Sequence, residues 1–252
     1  MLFYLGTHVP NWLGKTDVPL CVSRRVLHKR KTFPRAKGRW MLDSGAFSEL
    51  SLNGRWTVTP KAYAAEIQRY HDEVGNMDVA VAQDWMCEPF MVERTNLSIE
   101  EHQARTIYGY LDLLTWTDLP IMPVLQGWTL DDYRRHIEGY EGKGIDLSAE
   151  PIVGVGSVCR RQHTNEVARL LSELSALGLA LHGFGVKVDG LRKVGRTLKT
   201  ADSMAWSFRA RRDAPLHGHT HKNCANCLDY ALLWRDKVLG AIEEPEQTVM
   251  AL

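Results

Sequence analysis

Short apolar runs that stop abruptly on a polar residue recur along this chain. Trp40-Met41-Leu42 runs into Asp43-Ser44-Gly45-Ala46-Phe47, and Val79-Ala80-Val81-Ala82 into Gln83-Asp84. Ile121 to Leu125 ends at Gln126-Gly127, and Thr200-Ala201 leads into Asp202-Ser203-Met204. Each reads as a buried strand that delivers a polar side chain to a loop at its C-terminal end. Leu2 to Leu5, ended by Gly6, predicts a first strand, and Leu20 to Ser23 a short second one. Pro151 to Gly156 and Leu179 to Val186 complete a set of eight.

Helical patterns fill the gaps. Thr59-Pro60 combines an N-cap with a proline at the first helical position, and the helix runs to Val74, where Gly75 ends it. Ser98-x-x-Glu101 is a capping box that opens a helix to Trp116. Thr129-x-x-Asp132 opens another, to Tyr140. From Thr164, the residues Val167, Leu170, Leu171, Leu174 and Leu177 share one face, with Gly178 at the C-terminus. A short helix precedes the eighth strand. A last helix, Ala225 to Leu239, packs through Leu228, Leu232 and Trp234. Strands alternating with helices predict parallel βαβ units. The fold class is therefore α/β, a TIM-type (β/α)8 barrel whose strand tips share one mouth. The first two connections are irregular, so an incomplete barrel is the alternative. The expected division is a catalytic barrel over 1–213 and a metal-binding motif with a C-terminal helix over 214–252.

A length of 252 residues and a hydrophobic fraction of 44% suit one barrel with a full core. The net charge of +1 implies no acidic partner, but its distribution does. No acid occurs between Val18 and Leu42, where Arg24, Arg25, Lys29, Arg30, Lys31, Arg35, Lys37 and Arg39 crowd together. A second basic group spans Lys187 to Arg212. Such stripes suit a phosphate backbone, or else form a solvated surface. The 5 cysteines are an odd count, no signal pattern opens the chain, and no apolar run reaches transmembrane length. A reduced, cytoplasmic protein is expected.

Asp43, Asp84 and Asp202 end three of the predicted strands. Carboxylates crowded in one mouth push each other's pKa values apart, so that one stays ionised while another holds a proton. That pairing suits displacement at an acetal-like carbon such as a sugar C1. Gln126 offers donor and acceptor together, as reading a base edge requires. Gly154 and Gly156 permit close approach to the backbone, without the third glycine and following helix of a dinucleotide fingerprint. Phe47 can stack on a base. In His217-Gly-His219-Thr-His221-Lys-Asn-Cys224-Ala-Asn-Cys227, a Cys-x-x-Cys pair follows closely spaced histidines. Four of these five side chains suffice for a structural tetrahedral zinc site. Alternation along an extended segment leaves both His217 with His219 and His219 with His221 open. A redox pair fits less well, because no thioredoxin-like pattern precedes it.

Taken in series, these stretches resemble the tRNA-guanine transglycosylase (queuine tRNA-ribosyltransferase) superfamily, most closely its deazapurine DNA modification branch of phages and bacteria. The DSGGFQ motif is matched by Asp43 to Ser48, the acid strand by Val81 to Asp84, and VQGG by Leu125 to Trp128. The glycine strand is matched by Val153 to Gly156, MGVG by His182 to Gly185, and the nucleophile strand by Ala201 to Met204 with Arg209 beyond. The resemblance implies Asp202 as the nucleophile at the sugar C1′ and Asp43 as the acid/base. It implies a base pocket of Asp84, Gln126, Gly154, Gly156, Phe47, Ser44 and Gly183, and a structural zinc. Arg209, Arg211 and Lys187 would hold the phosphate backbone. Ala46 and Ser48 stand where the motif has Gly and Gln, and no His follows Cys227 as a distal ligand. The short chain leaves little for tRNA recognition. The expected function is exchange of guanine in DNA for a 7-deazaguanine, such as 7-cyano-7-deazaguanine. The alternatives are the same exchange on tRNA, a non-catalytic zinc-stapled nucleic-acid-binding protein, and a barrel enzyme acting on a phosphorylated metabolite.

Overall fold

The computed structural model describes residues 1–161 and 164–243. Its first part holds β1 (Leu2–Thr7), a 3-10 turn (Pro10–Gly14), β2 (Leu20–Ser23), α1 (Arg24–Leu27), β3 (Trp40–Asp43), α2 (Ala46–Asn53) and α3 (Pro60–Val74). Then come β4 (Met77–Val81), α4 (Pro89–Thr95), α5 (Ile99–Leu114), β5 (Ile121–Met122), β6 (Val124–Leu125) and α6 (Leu130–Glu141). The last part holds β7 (Val153–Val155), α7 (Asn165–Ala176), β8 (Leu181–Gly183), α8 (Val188–Val194), β9 (Thr200–Ser203), α9 (Ala205–Ala210) and α10 (Leu228–Glu243).

All strand pairs are parallel, in the order β5-β4-β3-β2-β1-β9-β8-β7-β6. The two ends of that order are adjacent in sequence, joined by Pro123 alone. A proline has no N–H to give a ladder, so the predicted fifth strand splits in two at this residue. Ala82 N–H still bonds to Met122 O, and Gly154 N–H to Pro123 O. The segment 121–125 therefore pairs on both sides and brings the sheet round into a nearly closed barrel. No helix among the described residues is long and apolar enough to cross a membrane.

Two apolar layers follow from the period of two along each strand. Tyr4, Cys21, Met41, Val81 and Met122 fill the barrel interior. Phe3, Leu5, Val22, Trp40, Leu42 and Ala80 face the helices. Asp202 pairs in register with Tyr4, so its side chain belongs to the inner face. Asp43, two residues after Met41, belongs there too. At the opposite end, Asp78 accepts from the Tyr4 hydroxyl and from Arg39, both at 2.7 Å.

The predicted caps are present. Thr59 accepts from Ala62 N–H, and Ser98 with Glu101 and Thr129 with Asp132 form reciprocal boxes. The last helix begins at Leu228 rather than Ala225, because Ala225 lies inside the turn in which Cys227 N–H bonds to Cys224 O. Leu228, Leu232 and Trp234 pack on the barrel as expected. The short helices α1, α2, α4 and α9 are additions to the predicted set. Three of them start within a few residues of a strand end, whereas α4 begins at Pro89, well past Val81.

Candidate active site

A cavity of ≈ 210 Å³ opens at the C-terminal ends of the strands, lined by Asp43, Phe47, Asp84, Gln126, Gly156 and Phe184 among others. Pockets for drug-sized ligands measure about 300–1,000 Å³, so this smaller hollow suits a single heterocycle. Asp43 ends β3 at its rim, and Gly45 N–H donates to its Oδ2 at 3.2 Å. Gly45 has φ +81°, a conformation that lets the chain turn sharply into α2 behind the carboxylate. Burial raises the Asp43 pKa above the carboxylate range. Hydrogen bonding by Ser23 opposes this, and the nearby Asp202 charge adds to it.

Asp202 lies beside the cavity on β9. Gly185 N–H donates to its Oδ1 at 2.9 Å, and His182 Nε2 lies 3.3 Å from the same oxygen. His182 is fully buried, and its Nδ1 is 2.7 Å from Thr200 Oγ1. Asp84 stands just past the end of β4. Gln126 Nε2 donates to it at 2.5 Å and Ser44 Oγ at 3.3 Å. Burial, and then the charge of Asp43, push Asp84 up to about 7 despite these two donors. Asp43 and Asp84 thus line the cavity, Asp202 stands just outside its wall within reach of Asp43, and Phe47 is exposed at the mouth.

Gly156 lines the cavity, and the space beside Gly154 and Gly156 is filled by side chains. A Cβ on Gly156 would stand 2.1 Å from Gln126 Nε2, and one on Gly154 would stand 2.6 Å from the Phe184 ring. The close neighbours of both are thus protein side chains. Gly154 and Gly183 are not on the cavity wall, and the approach to Gly183 is by Val186 and Leu198. Sequence reasoning singled out none of His182, Phe184, Ser157 and Glu88. A histidine inside the apolar Leu181-His182-Gly183 run was the one available signal.

The mouth is flanked by charge and aromatic surface. Arg160 sits over the rings of Phe47 and Phe90, at 5.4 and 4.5 Å. Lys187, Arg192, Arg209 and Lys237 line a neighbouring groove of ≈ 630 Å³ between α8, α9 and α10. Arg209 pairs with Asp213 at 3.2 Å, and Arg211 is exposed at the end of α9.

Beyond α9, His219, His221, Cys224 and Cys227 bring one ligand atom each to within 4.8 Å of one another. His217 is not in this group, so of the two histidine pairs left open it is His219 with His221 that stands beside the cysteines. His221 Nε2 lies 3.0 Å from Cys224 Sγ, and His219 Nδ1 lies 3.5 Å from Cys227 Sγ. With metal bonds of about 2.0–2.3 Å, tetrahedral ligands stand about 3.3–3.8 Å apart, so this N₂S₂ set could hold a metal ion. Leu216 N–H points at Cys224 Sγ at 3.4 Å, and Asp229 lies 3.7 Å from the other ring nitrogen of His219. Such outer partners orient metal ligands.

No curated protein matches the chain in sequence. A family model described as DpdA, DeoxyPurine in DNA protein A, matches residues 1–251, so the chain belongs to that family, whose role lies in deazapurine modification of DNA.

Proposed function

We propose that the protein is a DNA-guanine transglycosylase that exchanges guanine in DNA for a 7-deazaguanine, such as 7-cyano-7-deazaguanine, through a covalent Asp202–sugar intermediate. The observation that carries this reading is one small cavity lined by Asp43, Asp84 and Gln126, with Asp202 held beside it by the lining residue Gly185 and close enough for its charge to act on Asp43. The target base leaves the helix, or is presented single-stranded, to reach a barrel mouth.

In the first step an Asp202 oxygen attacks C1′. The C1′–N9 bond breaks, its electron pair leaves with guanine, and Asp43 gives the base a proton. Burial favours the proton that Asp43 must carry for this. Asp202 keeps its aim through the Gly185 N–H, with His182 Nε2 beside the same oxygen, which leaves Oδ2 for the attack. In the second step the entering 7-deazaguanine loses its N9 proton to Asp43 and attacks C1′, and Asp202 leaves. Two displacements retain configuration. Asp84, ionised and steadied by Ser44 and Gln126, accepts the N1–H and 2-amino hydrogens of the base. Phe47 stacks on the base face, and Lys187, Arg209 and Arg211 hold phosphates. His219, His221, Cys224 and Cys227 bind zinc, which supplies rigidity to the segment between α9 and α10.

The test is incubation with guanine-containing DNA and 7-cyano-7-deazaguanine, followed by digestion to nucleosides. The modified deoxynucleoside is expected from DNA and not from tRNA treated alongside. Incorporation into tRNA alone would move the substrate to RNA, and none into either would end the exchange reading. Asp202→Asn is expected to bind DNA yet yield no denaturation-resistant adduct. An adduct at the wild-type level would remove Asp202 from its role.

A further inference from the structure

Four buried side chains run inward from the pocket wall. Asp84 is 6% exposed, Gln126 0%, Ser157 4% and Glu88 2%. Gln126 Nε2 meets Asp84 Oδ2 at 2.5 Å, while its Oε1 lies 2.7 Å from Ser157 Oγ. Ser157 Oγ also lies 2.8 Å from Glu88 Oε2 and accepts Cys87 N–H at 2.8 Å. The Ser157 backbone, at φ +57°, lies in the left-handed region that a serine rarely adopts, and it puts the hydroxyl at this junction.

A hydrogen count decides what the chain of contacts requires. Ser157 owns one hydroxyl hydrogen and two lone pairs. Cys87 N–H takes one lone pair. If Glu88 is ionised, the single hydrogen is claimed by both its carboxylate and Gln126 Oε1, and one contact fails. If Glu88 is protonated, it donates to Ser157, Ser157 donates to Gln126 Oε1, and Gln126 donates to an ionised Asp84. Every group is then satisfied. One other arrangement also closes: Gln126 turns its amide over, donates to Ser157, and accepts from a protonated Asp84, while Ser157 donates to an ionised Glu88. The chain is complete when one proton is shared between its two acidic ends, and incomplete with none.

We propose that Glu88 stores, through Ser157 and Gln126, the proton that Asp84 must give up to accept hydrogens from a guanine-type base. This rests on the reading of the pocket above. Glu88 touches no base in this scheme, so it is a positioning residue that sets which face of the Gln126 amide meets Asp84. Burial raises the Glu88 pKa, in line with the protonated form. Arg160 and Arg161 oppose this, but no ion pair to Glu88 occurs among the described residues, and Arg161 is engaged with Glu166. The other titratable groups around the pair are Cys87, Cys159 and Tyr133 near Glu88, and Asp43, Cys87 and Tyr140 near Asp84.

Glu88→Gln tests the inference, because its amide donates to Ser157 at every pH. Binding of 7-cyano-7-deazaguanine to the full chain is measured by calorimetry from mildly acid to mildly alkaline pH. The wild-type affinity is expected to fall on the alkaline side as Glu88 loses its proton. Glu88→Gln should lose that limb, exceeding wild type roughly tenfold there, and keep the acid limb that Asp84 sets. Titration of the base itself is common to both proteins and cancels in the ratio. Ser157→Ala should weaken binding roughly tenfold, since Gln126 Oε1 loses its donor. A uniform loss in Glu88→Gln, or an unmoved alkaline limb, would overturn the proposal. If neither protein binds a base, the exchange reading fails on its own. Infrared spectra of the free proteins just above neutral pH then decide the proton question. A protonated-carboxyl stretch in the wild type that Glu88→Gln removes upholds it. A band missing from the wild type, or undiminished in the variant, overturns it.

Discussion

At the scale of residues, the pocket sets the requirements of stability against those of chemistry. Asp84 carries a pKa of about 7 where an exposed aspartate has 3.8. A raised carboxyl binds its proton more tightly folded than unfolded. Its favourable share of stability is complete below the unfolded value and is lost as pH rises through about 7. A rise from 3.8 to about 7 corresponds to about 4 kcal/mol as an upper figure. Asp84→Asn should therefore raise the unfolding free energy at mildly alkaline pH, by up to that amount, and change it little near pH 4. Denaturant titrations at the two pH values check this. The expected loss of base binding in the same variant would identify the stability cost as functional. Gly156 is tied to the same spot. Gly156→Ala places a methyl where the Gln126 amide sits, and a displaced Gln126 should reduce base affinity by roughly tenfold or more, as binding calorimetry would show. That Asp43, Asp84 and Asp202 are acids at strand tips was plain from the chain alone. That Ser157, Glu88 and His182 stand behind them was not, because a polar residue within an apolar stretch looks the same whether it supports a site or merely satisfies itself.

At the scale of elements, the predicted strands and long helices correspond closely to the observed ones. Their signals are local: apolar runs, capping boxes and terminal glycines. The short helices α2, α4 and α9 escaped because they are only 8, 7 and 6 residues long and lack a side-chain cap. The segment between α9 and α10 has little apolar content of its own. It is tied down by Ser207 Oγ bonding to Ala225 O and by the His/Cys cluster. Cys224→Ser should reduce bound zinc from about one equivalent towards zero and open this segment to limited proteolysis. His217→Ala should retain both metal and protection. Metal analysis with proteolysis distinguishes the two.

At the scale of the whole molecule, closure through Pro123 makes one mouth out of strand tips that are far apart in sequence. The groove lined by Lys187 and Arg209 lies beside that mouth, so strand binding should follow salt in the manner of counterion release. Replacing Arg209 and Arg211 together by alanine should lower the slope of log affinity against log salt by about 1.4 for single-stranded DNA, at about 0.7 per contact. Fluorescence anisotropy over a salt series measures it. The sequence by itself determined the alternation of strands and helices, the acids at their tips and the Cys-x-x-Cys pair with its histidines. Each of these is written in neighbouring residues, where periodicity and capping act. The tertiary structure alone decided that His219 and His221 rather than His217 join the cysteines. It also decided that Phe184 and Gln126 fill the space left by Gly154 and Gly156, and that Glu88 ends a chain of hydrogen bonds from Asp84. The histidine choice rests on how the irregular turn before α10 folds, whereas the glycine pairings and the Asp84–Gln126–Ser157 links join residues tens of positions apart, and only the curvature of a closed sheet fixes which of them meet.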